Sequence, residues 1–452
     1  MLDFLTTLSN FIWSEFCLIP LLFFGGLYLT IGLKGFSFLN FFKGFRFLFK
    51  NNPKDLDEGI TPFQTLMTAQ SATIGTGNII GVALAIQLGG PGAIFWMWIV
   101  ALVGMSTKYA EAVLAVYYRE KGTAFNFVGG PMYYIKNGLG PRWQWLALSY
   151  ALFGAIAAFG IGNTVQSNAV STVLLEYFSL PPIFTGIILA SLVGLVLIGG
   201  ITRISKVAST LVPLMGLLYL AICSLIIFNN FEKIPTVLSQ IFISAFEINS
   251  ASGAGIWLAI KWGFARGIFS NEAGLGSAAI AHAASKTKNP VEQGIIAMLG
   301  TFIDTICICT LTAMVILLTI PPESLVGQTS LAATAFSTGL GNLGGMLIGI
   351  ALSVFAFTTI LGWSYYGERC LNFLTGNRFT TLYRILWISA ILIGSVIKFE
   401  VVWLIADVFN GLMAIPNIIA LFLLSPLVFS LSAQYTENYK LTKEKIGKGA
   451  KT

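Results

Sequence analysis

The chain has 452 residues, of which 56% are hydrophobic and only 10% charged, against roughly 25% charged in soluble domains. Mean hydropathy is +0.82, and apolar runs of about 18 residues or more recur along the whole length, which excludes an ordinary soluble domain. The formal net charge of +7 would suit a nucleic-acid binder only if the basic residues were clustered, and they instead punctuate the apolar runs.

The expected fold class is an all-α polytopic membrane protein, one membrane domain with no soluble domain of useful size. Eleven spans are expected, at about residues 11–33, 61–86, 92–118, 146–171, 183–200, 207–228, 252–283, 294–319, 343–367, 381–397 and 401–431; they are numbered spans 1 to 11 below. Span 1 is led in by MLDFLTTLSNFIW, which has no basic n-region, so no cleavable signal is expected. Span 2 contains SATIGTGNIIG, the weakest helix-forming run of the chain: Gly75, Gly77 and Gly81 lie among Thr73, Thr76 and Asn78. Each Gly costs a helix about 1 kcal/mol relative to Ala, and lipid offers freed backbone groups no water.

Span 3 is expected to run past the hydrocarbon as an amphipathic extension, since Lys108, Glu111, Arg119 and Glu120 occupy its end. Lys108 and Glu111, three apart, are placed to pair near the membrane edge. In span 4, Gln166 within FGIGNTVQSNAV offers both a donor and an acceptor. Span 7, GAGIWLAIKWGFARGIFSNEAGLGSAAIAHAA, is the only other span as heavily interrupted as span 2; Arg266 and Glu272 flank its break and are read as a gate or scaffold ion pair. It also holds the sole histidine, His282, read as an ordinary interfacial residue rather than a proton relay. Span 8 carries Asp304, for which a second cation site and a structural hydrogen-bond partner are both open; GGMLIG in span 9 is read as close packing. Span 11 carries Asp407 with Asn410, and Pro416 should kink it. Five cysteines show no metal or disulfide spacing.

The positive-inside rule supports this arrangement. With the N-terminus outside, the inner segments hold Lys34, Lys43, Arg46, Lys50 and Lys54, then Arg119, Lys121, Lys136 and Arg142, then Arg203, Lys206, Lys286 and Lys288, then Arg369, Arg378 and Arg384. The tail adds Lys440, Lys443, Lys445, Lys448 and Lys451, while only Lys233 and Lys398 fall outside. Most of the charge is thus an orientation device in the cell membrane, helped by anionic lipid at the tail, and no nucleic-acid partner is implied. The C-terminus is cytoplasmic.

The two interrupted spans lie five apart. A five-helix unit is odd, so a second copy enters the membrane inverted. Residues 61–228 and 252–431 would form the two repeats, with span 1 as an addition, inside a single transporter domain of residues 1–435 followed by a basic cytoplasmic tail at 436–452. Discontinuous helices at matching positions mark the substrate site of a secondary transporter: N–H groups at a half-helix start face an anion, and released carbonyls bind a cation. Gly75, Thr76, Gly77 and Asn78, with Trp262 to Asn271 opposite, are best suited to this work.

The strings TPFQTLMTAQSATIGTGNIIGVALAIQLGGPGAIFWMW, TKYAEAVLAVYYR, GGPMYYI, GFARGIFSNEAGLGSAAIAHAA and GWSYYGER resemble the alanine or glycine:cation symporter family over roughly residues 10–435. That resemblance implies sodium-coupled uptake of small neutral amino acids on a LeuT-like five-plus-five inverted-repeat fold, with sodium co-transported and no organic cofactor. It also implies that Gln166 reaches the substrate and that Trp262, Phe264 and Phe269 wall its side chain. Thr358 and Thr359 of span 9 resemble the paired hydroxyl ligands of a sodium site completed by Thr73, Thr76 and nearby carbonyls, and Trp363 lies one turn beyond Thr359, on the same face. A membrane enzyme finds no support, because there is no His–Cys cluster, no HExxH and no paired acid set near a nucleophile. A channel is disfavoured by two asymmetric breaks in one chain. A proton-coupled transporter of the same fold remains the alternative.

Overall fold

A helix starts where its first N–H groups find acceptors, and span 2 starts that way. Thr61 accepts from the Gln64 N–H at 3.1 Å, the Gln64 Oε1 accepts from the Thr61 N–H at 3.1 Å, and Pro62 fills the first helical position. The helix Pro62–Thr73 then stops short, and its continuation Gly77–Gly89 leaves at a bend of 56°. The computed structural model describes residues 2–14, 16–49, 58–122, 127–247, 255–321, 324–325, 330–397 and 399–449. Lys50, Lys54, Lys398, Lys451 and the expected start of span 7 lie outside them.

Helices fall on every expected span. After a short leading helix, Leu2–Ile12, come Leu18–Gly32, the bent pair, Gly92–Tyr117, Pro141–Phe178, Pro182–Leu197 and Gly200–Asn229. The second half has Gly255–Asn271 with Ser277–Ala283, then Pro290–Thr319, Asn342–Thr375, Thr380–Val396 and Phe399–Gly449. Among the described residues, six helices are long and apolar enough to cross a bilayer alone, and the bent pair makes a seventh. The chain is therefore an all-helical polytopic membrane protein. Two short helices, Ile234–Ser244 and Leu331–Leu340, lie in the connections after spans 6 and 8. The last helix runs through Pro416 and Pro426 and on along the basic tail to Gly449.

Span 3 is the interior post: 83% of its most apolar stretch is buried, against 28% for span 6, which faces outward. Span 7 approaches it closely through Gly263, where an added Cβ would sit 2.5 Å from the Ala93 carbonyl oxygen and 2.7 Å from the Trp96 Cβ.

This burial corrects the reading of span 3. Its helix ends at Tyr117, Lys108 and Glu111 are buried inside the bundle, and no ion pair joins them among the described residues. The apolar neighbours of an inner helix leave no solvated edge for an amphipathic extension. Arg119 folds over the end of span 7 instead, donating to the carbonyls of Ala283, Ser285 and Thr287. Glu120–Lys121 pairs antiparallel with Phe127–Val128, the only paired strands among the described residues. His282 is buried, not interfacial, and its Nδ1 lies 2.7 Å from the Gln293 Nε2. Replacing Thr61 by Ala removes the cap of span 2 and should cost about 1 kcal/mol, read as a lower midpoint of thermal unfolding of the purified protein.

Candidate functional site

The break in span 2 exposes three consecutive main-chain groups, and each is met by a side chain. Ile74 leaves the helix with φ −75° and ψ 100°. Its carbonyl accepts from the Thr359 Oγ1 at 3.1 Å. The Gly75 N–H donates to the Asn78 Oδ1 at 2.9 Å, and the Thr76 N–H donates to the Gln166 Oε1 at 3.2 Å. Gln166 also donates to the Thr76 Oγ1 at 3.1 Å. Gln166 is held by span 4, which widens to a π-helical turn at Gly160–Thr164; the Ile161 carbonyl, five residues back, accepts from the Gln166 Nε2 at 2.9 Å. Glycine at 75 leaves room for both partners, because a Cβ there would lie 2.5 Å from the Thr359 Oγ1 and 3.1 Å from the Gln166 Oε1.

The break in span 7 is satisfied from span 3. Glu272 sits in the left-handed region at φ 57°, and the chain resumes as a helix at Ser277. The Gly274 and Gly276 N–H groups both donate to the Glu111 Oε1 at 3.0 Å. Asn417 of span 11 donates to the same carboxylate and to the Gly274 carbonyl, each at 2.8 Å, and its Oδ1 accepts from the Tyr134 hydroxyl. Glu272 accepts from the Trp363 Nε1 at 2.9 Å and from the Ser277 hydroxyl at 2.5 Å.

Asp304 joins the two breaks. Its Oδ1 accepts from the Asn78 Nδ2 at 2.7 Å, and its Oδ2 accepts from the Ser270 hydroxyl at 2.9 Å and the Thr305 hydroxyl at 2.8 Å. It lies in the π-helical stretch Phe302–Cys309 of span 8. Thr312, further along that span, donates to the Asn78 carbonyl at 2.7 Å. Gly77 lies against Ser270: a Cβ at 77 would sit 3.2 Å from the Ser270 Cα.

The structure therefore brings together Gly75, Thr76, Gly77, Asn78, Gln166, Asp304 and Thr359, with Glu272 and Trp363 at the second break. Phe269 is part of the same group, its ring 3.3 Å from where a Gly77 Cβ would be and stacked on Trp403 at 4.9 Å. Arg266 pairs with Asp407 at 3.0 Å, not with Glu272 as expected. Glu272 lies six residues on, just past the end of the helix Gly255–Asn271, and is turned to Trp363, whereas Asp407 comes across from span 11. The guanidinium also lies 5.5 Å from the Trp403 ring centroid and 5.3 Å from that of Trp262.

Other expected residues stand apart from this group. Trp262 lies beside Arg266, one turn before it on span 7. Phe264 packs edge-on against Phe23 of span 1 at 5.2 Å. The Thr73 hydroxyl donates to the Ala69 carbonyl of its own helix at 3.0 Å. The Thr358 hydroxyl donates to the Phe355 carbonyl at 2.9 Å, with the Met215 sulfur 3.6 Å away. Glu111, Asn417, Trp403 and Thr312 were not expected in the network. For Glu111 the available signal was a carboxylate deep in an apolar helix; spacing alone matched it to Lys108.

The family model of the sodium:alanine symporter family matches residues 1–448. A protein of Haemophilus influenzae described as an uncharacterized transporter is 47% identical over 97% of this chain and 96% of its own length. The sodium/alanine symporter AgcS of Methanococcus maripaludis is 44% identical over 95% of this chain and 96% of its own. Among solved structures, MhsT in complex with L-phenylalanine superposes with a TM-score of 0.59 at 14% identity, covering 84% of this chain and 100% of that one. That likeness gives the LeuT fold.

The Gly75→Ala variant should fold with a penalty of about 1–3 kcal/mol, because its methyl displaces either Thr359 or Gln166. Thermal unfolding of the purified variant measures the penalty, and the double variant Gly75→Ala/Thr359→Ala should recover part of it.

Proposed function

Because the chain belongs to the sodium:alanine symporter family, a family of cation-coupled amino-acid symporters and not of enzymes, we propose that it carries a small neutral amino acid, alanine foremost, into the cell together with sodium by alternating access. The observation that carries this reading is the run Ile74 to Thr76. There one carbonyl and two consecutive N–H groups are held by exchangeable side chains.

A substrate carboxylate can take the Gly75 and Thr76 N–H groups from the amide oxygens of Asn78 and Gln166, which then turn to the rest of the zwitterion. A sodium ion can take the Ile74 carbonyl and the Thr359 hydroxyl, whose proton lies between that carbonyl at 3.1 Å and the Phe355 carbonyl of its own helix at 3.0 Å, with the Thr76 hydroxyl beside them. Thr73 and Thr358 join that set only if their hydroxyls leave the carbonyls they now bond. Phe269 and Trp363, both buried, limit the side chain to a small group. Arg266 with Asp407 closes the side assigned to the exterior. The repeats 61–228 and 252–431 would supply the moving and fixed elements in inverted copies, in a chain whose N-terminus is outside and whose C-terminus is cytoplasmic.

A second reading has one observation in its favour. Asp304 and Glu272 are buried carboxylates with no basic side chain in ion-pair contact among the described residues, so a proton could serve as the coupled cation.

Uptake of labelled alanine into proteoliposomes decides between them. An inward sodium gradient should drive accumulation, and replacing sodium by choline at fixed pH should abolish it; accumulation that survives in choline and follows a pH gradient gives the proton reading. Thr359→Val should raise the sodium concentration for half-maximal uptake by roughly tenfold, the loss of one buried polar contact, with a smaller change in alanine affinity at saturating sodium.

A further inference from the structure

The connection between spans 1 and 2 has a composition that neither transport nor span packing explains. After Lys34 and Gly35, both in the left-handed region, the helices Phe36–Leu39 and Phe41–Leu48 follow in close succession. Phe38 lies on the first of these helices, Phe42 and Phe45 on the second and Phe49 just past its end, at spacings of three to four residues. They are 40%, 83%, 40% and 74% exposed. The element also packs on the protein, where Phe41 meets Phe302 of span 8 at 4.8 Å and Gly44 lies against Leu299. An apolar face beside basic residues at a membrane edge is the pattern of a helix lying in the interfacial plane.

Beside this element is a cavity of about 1120 Å³, at the upper end of what small ligands fill. It lies between the end of span 1, this connection and the stretch of the last helix from Phe429 to Tyr439. Its charged lining is Lys34 and Lys43 against Glu437, and Asn40 and Ser430 add polar groups. The Lys43 ammonium sits 4.0 Å above the Tyr439 ring. Among the described residues neither Lys34 nor Lys43 forms an ion pair. Arg46 adds a further positive charge one turn beyond Lys43.

We propose that this groove binds an anionic phospholipid of the inner leaflet, its headgroup phosphate held by Lys34 and Lys43 and its acyl chains lying along the exposed phenylalanines. The basic residues put the groove on the side the charge distribution assigns to the cytoplasm, where anionic lipids concentrate. A free phosphate shares the headgroup's charge and lacks the chains, so the exposed phenylalanines favour the lipid. The bound lipid bridges span 1 and the last helix, away from the two breaks, and the proposal is independent of which cation drives transport.

Native mass spectrometry of the full chain in detergent tests it, with phosphatidylglycerol, phosphatidylcholine of the same chains, and inorganic phosphate as probes. Phosphatidylglycerol should bind at least tenfold more tightly than phosphatidylcholine. The K34A/K43A variant should lose that preference by about 10- to 30-fold, while K206A, an exposed lysine on the same side, should leave it unchanged. Equal binding of the two lipids, an equal loss in K206A, or displacement by inorganic phosphate at matching concentration would each overturn the proposal. Should the double variant not fold, K34Q and K43Q singly carry the test, each expected to lose about fivefold, and retention of full preference in both overturns it.

Discussion

A backbone N–H or carbonyl bared inside a bilayer must be matched by the protein, since each group left without a partner costs several kcal/mol there. Everything distinctive in this structure follows from two helices that break that ladder and from the side chains that repair it. At the first break the repair comes from spans 4 and 9, through Gln166 and Thr359. At the second it comes from spans 3 and 11, through Glu111 and Asn417. The same groups that stabilise each broken helix can also be exchanged for a ligand without leaving any main-chain group bare.

The two repairs are not independent. Asp304 takes hydrogen bonds from Asn78 at one break and from Ser270 beside the other, so a shift of either half-helix is felt by both. Glu272, at the second break, reaches Trp363 one turn beyond Thr359, which serves the first. Span 9 thus touches both interruptions from one face. The Arg266–Asp407 pair sits above this network with Trp403 and Phe269 stacked beneath it. Desolvating such a pair offsets much of its attraction, so it is better suited to choosing between two arrangements than to adding stability.

Periodicity and glycine content located the helices and the first interruption, because a membrane helix needs a long apolar run and a break needs residues that tolerate it; the second was expected at Trp262 to Asn271, which is unbroken helix, and falls instead at residues 272–276, where Gly274 and Gly276 take positive φ. Gly75 was legible for that reason, whereas Gln166 and Thr359 were picked out by what the family resemblance implies. The partners of buried charges were not legible. Arg266 lies six residues before Glu272 in sequence and yet pairs with Asp407, 141 residues away, and Glu111 ignores Lys108 in favour of glycine N–H groups. Such choices depend on which face of each helix meets which neighbour, a property of packing that no local pattern encodes. The same holds for Thr358 and Thr359, adjacent in sequence and both within reach of the Phe355 carbonyl, of which only Thr359 also meets the break while Thr358 meets Met215.

The geometry of residues 74 to 76 bears on how two ligands could be coupled. The Ile74 carbonyl belongs to the Thr359 contact and the Thr76 N–H to the Gln166 contact, and only Gly75 lies between. A Cβ on that residue would touch both Thr359 and Gln166, so the space around one glycine is shared by the proposed cation site and the proposed carboxylate site. Ordering the carbonyl at 74 fixes the peptide plane that leads into 75, and with it the direction of the N–H groups that follow. On the proposed reading an ion bound first lowers the cost of presenting those donors, and the substrate returns the same stabilisation to the ion, as linkage requires. Typical coupling energies of about 1–3 kcal/mol are within reach of a single reoriented peptide among buried groups. Coupling through so short a segment needs no long-range relay, only that the chain stay unwound at one glycine.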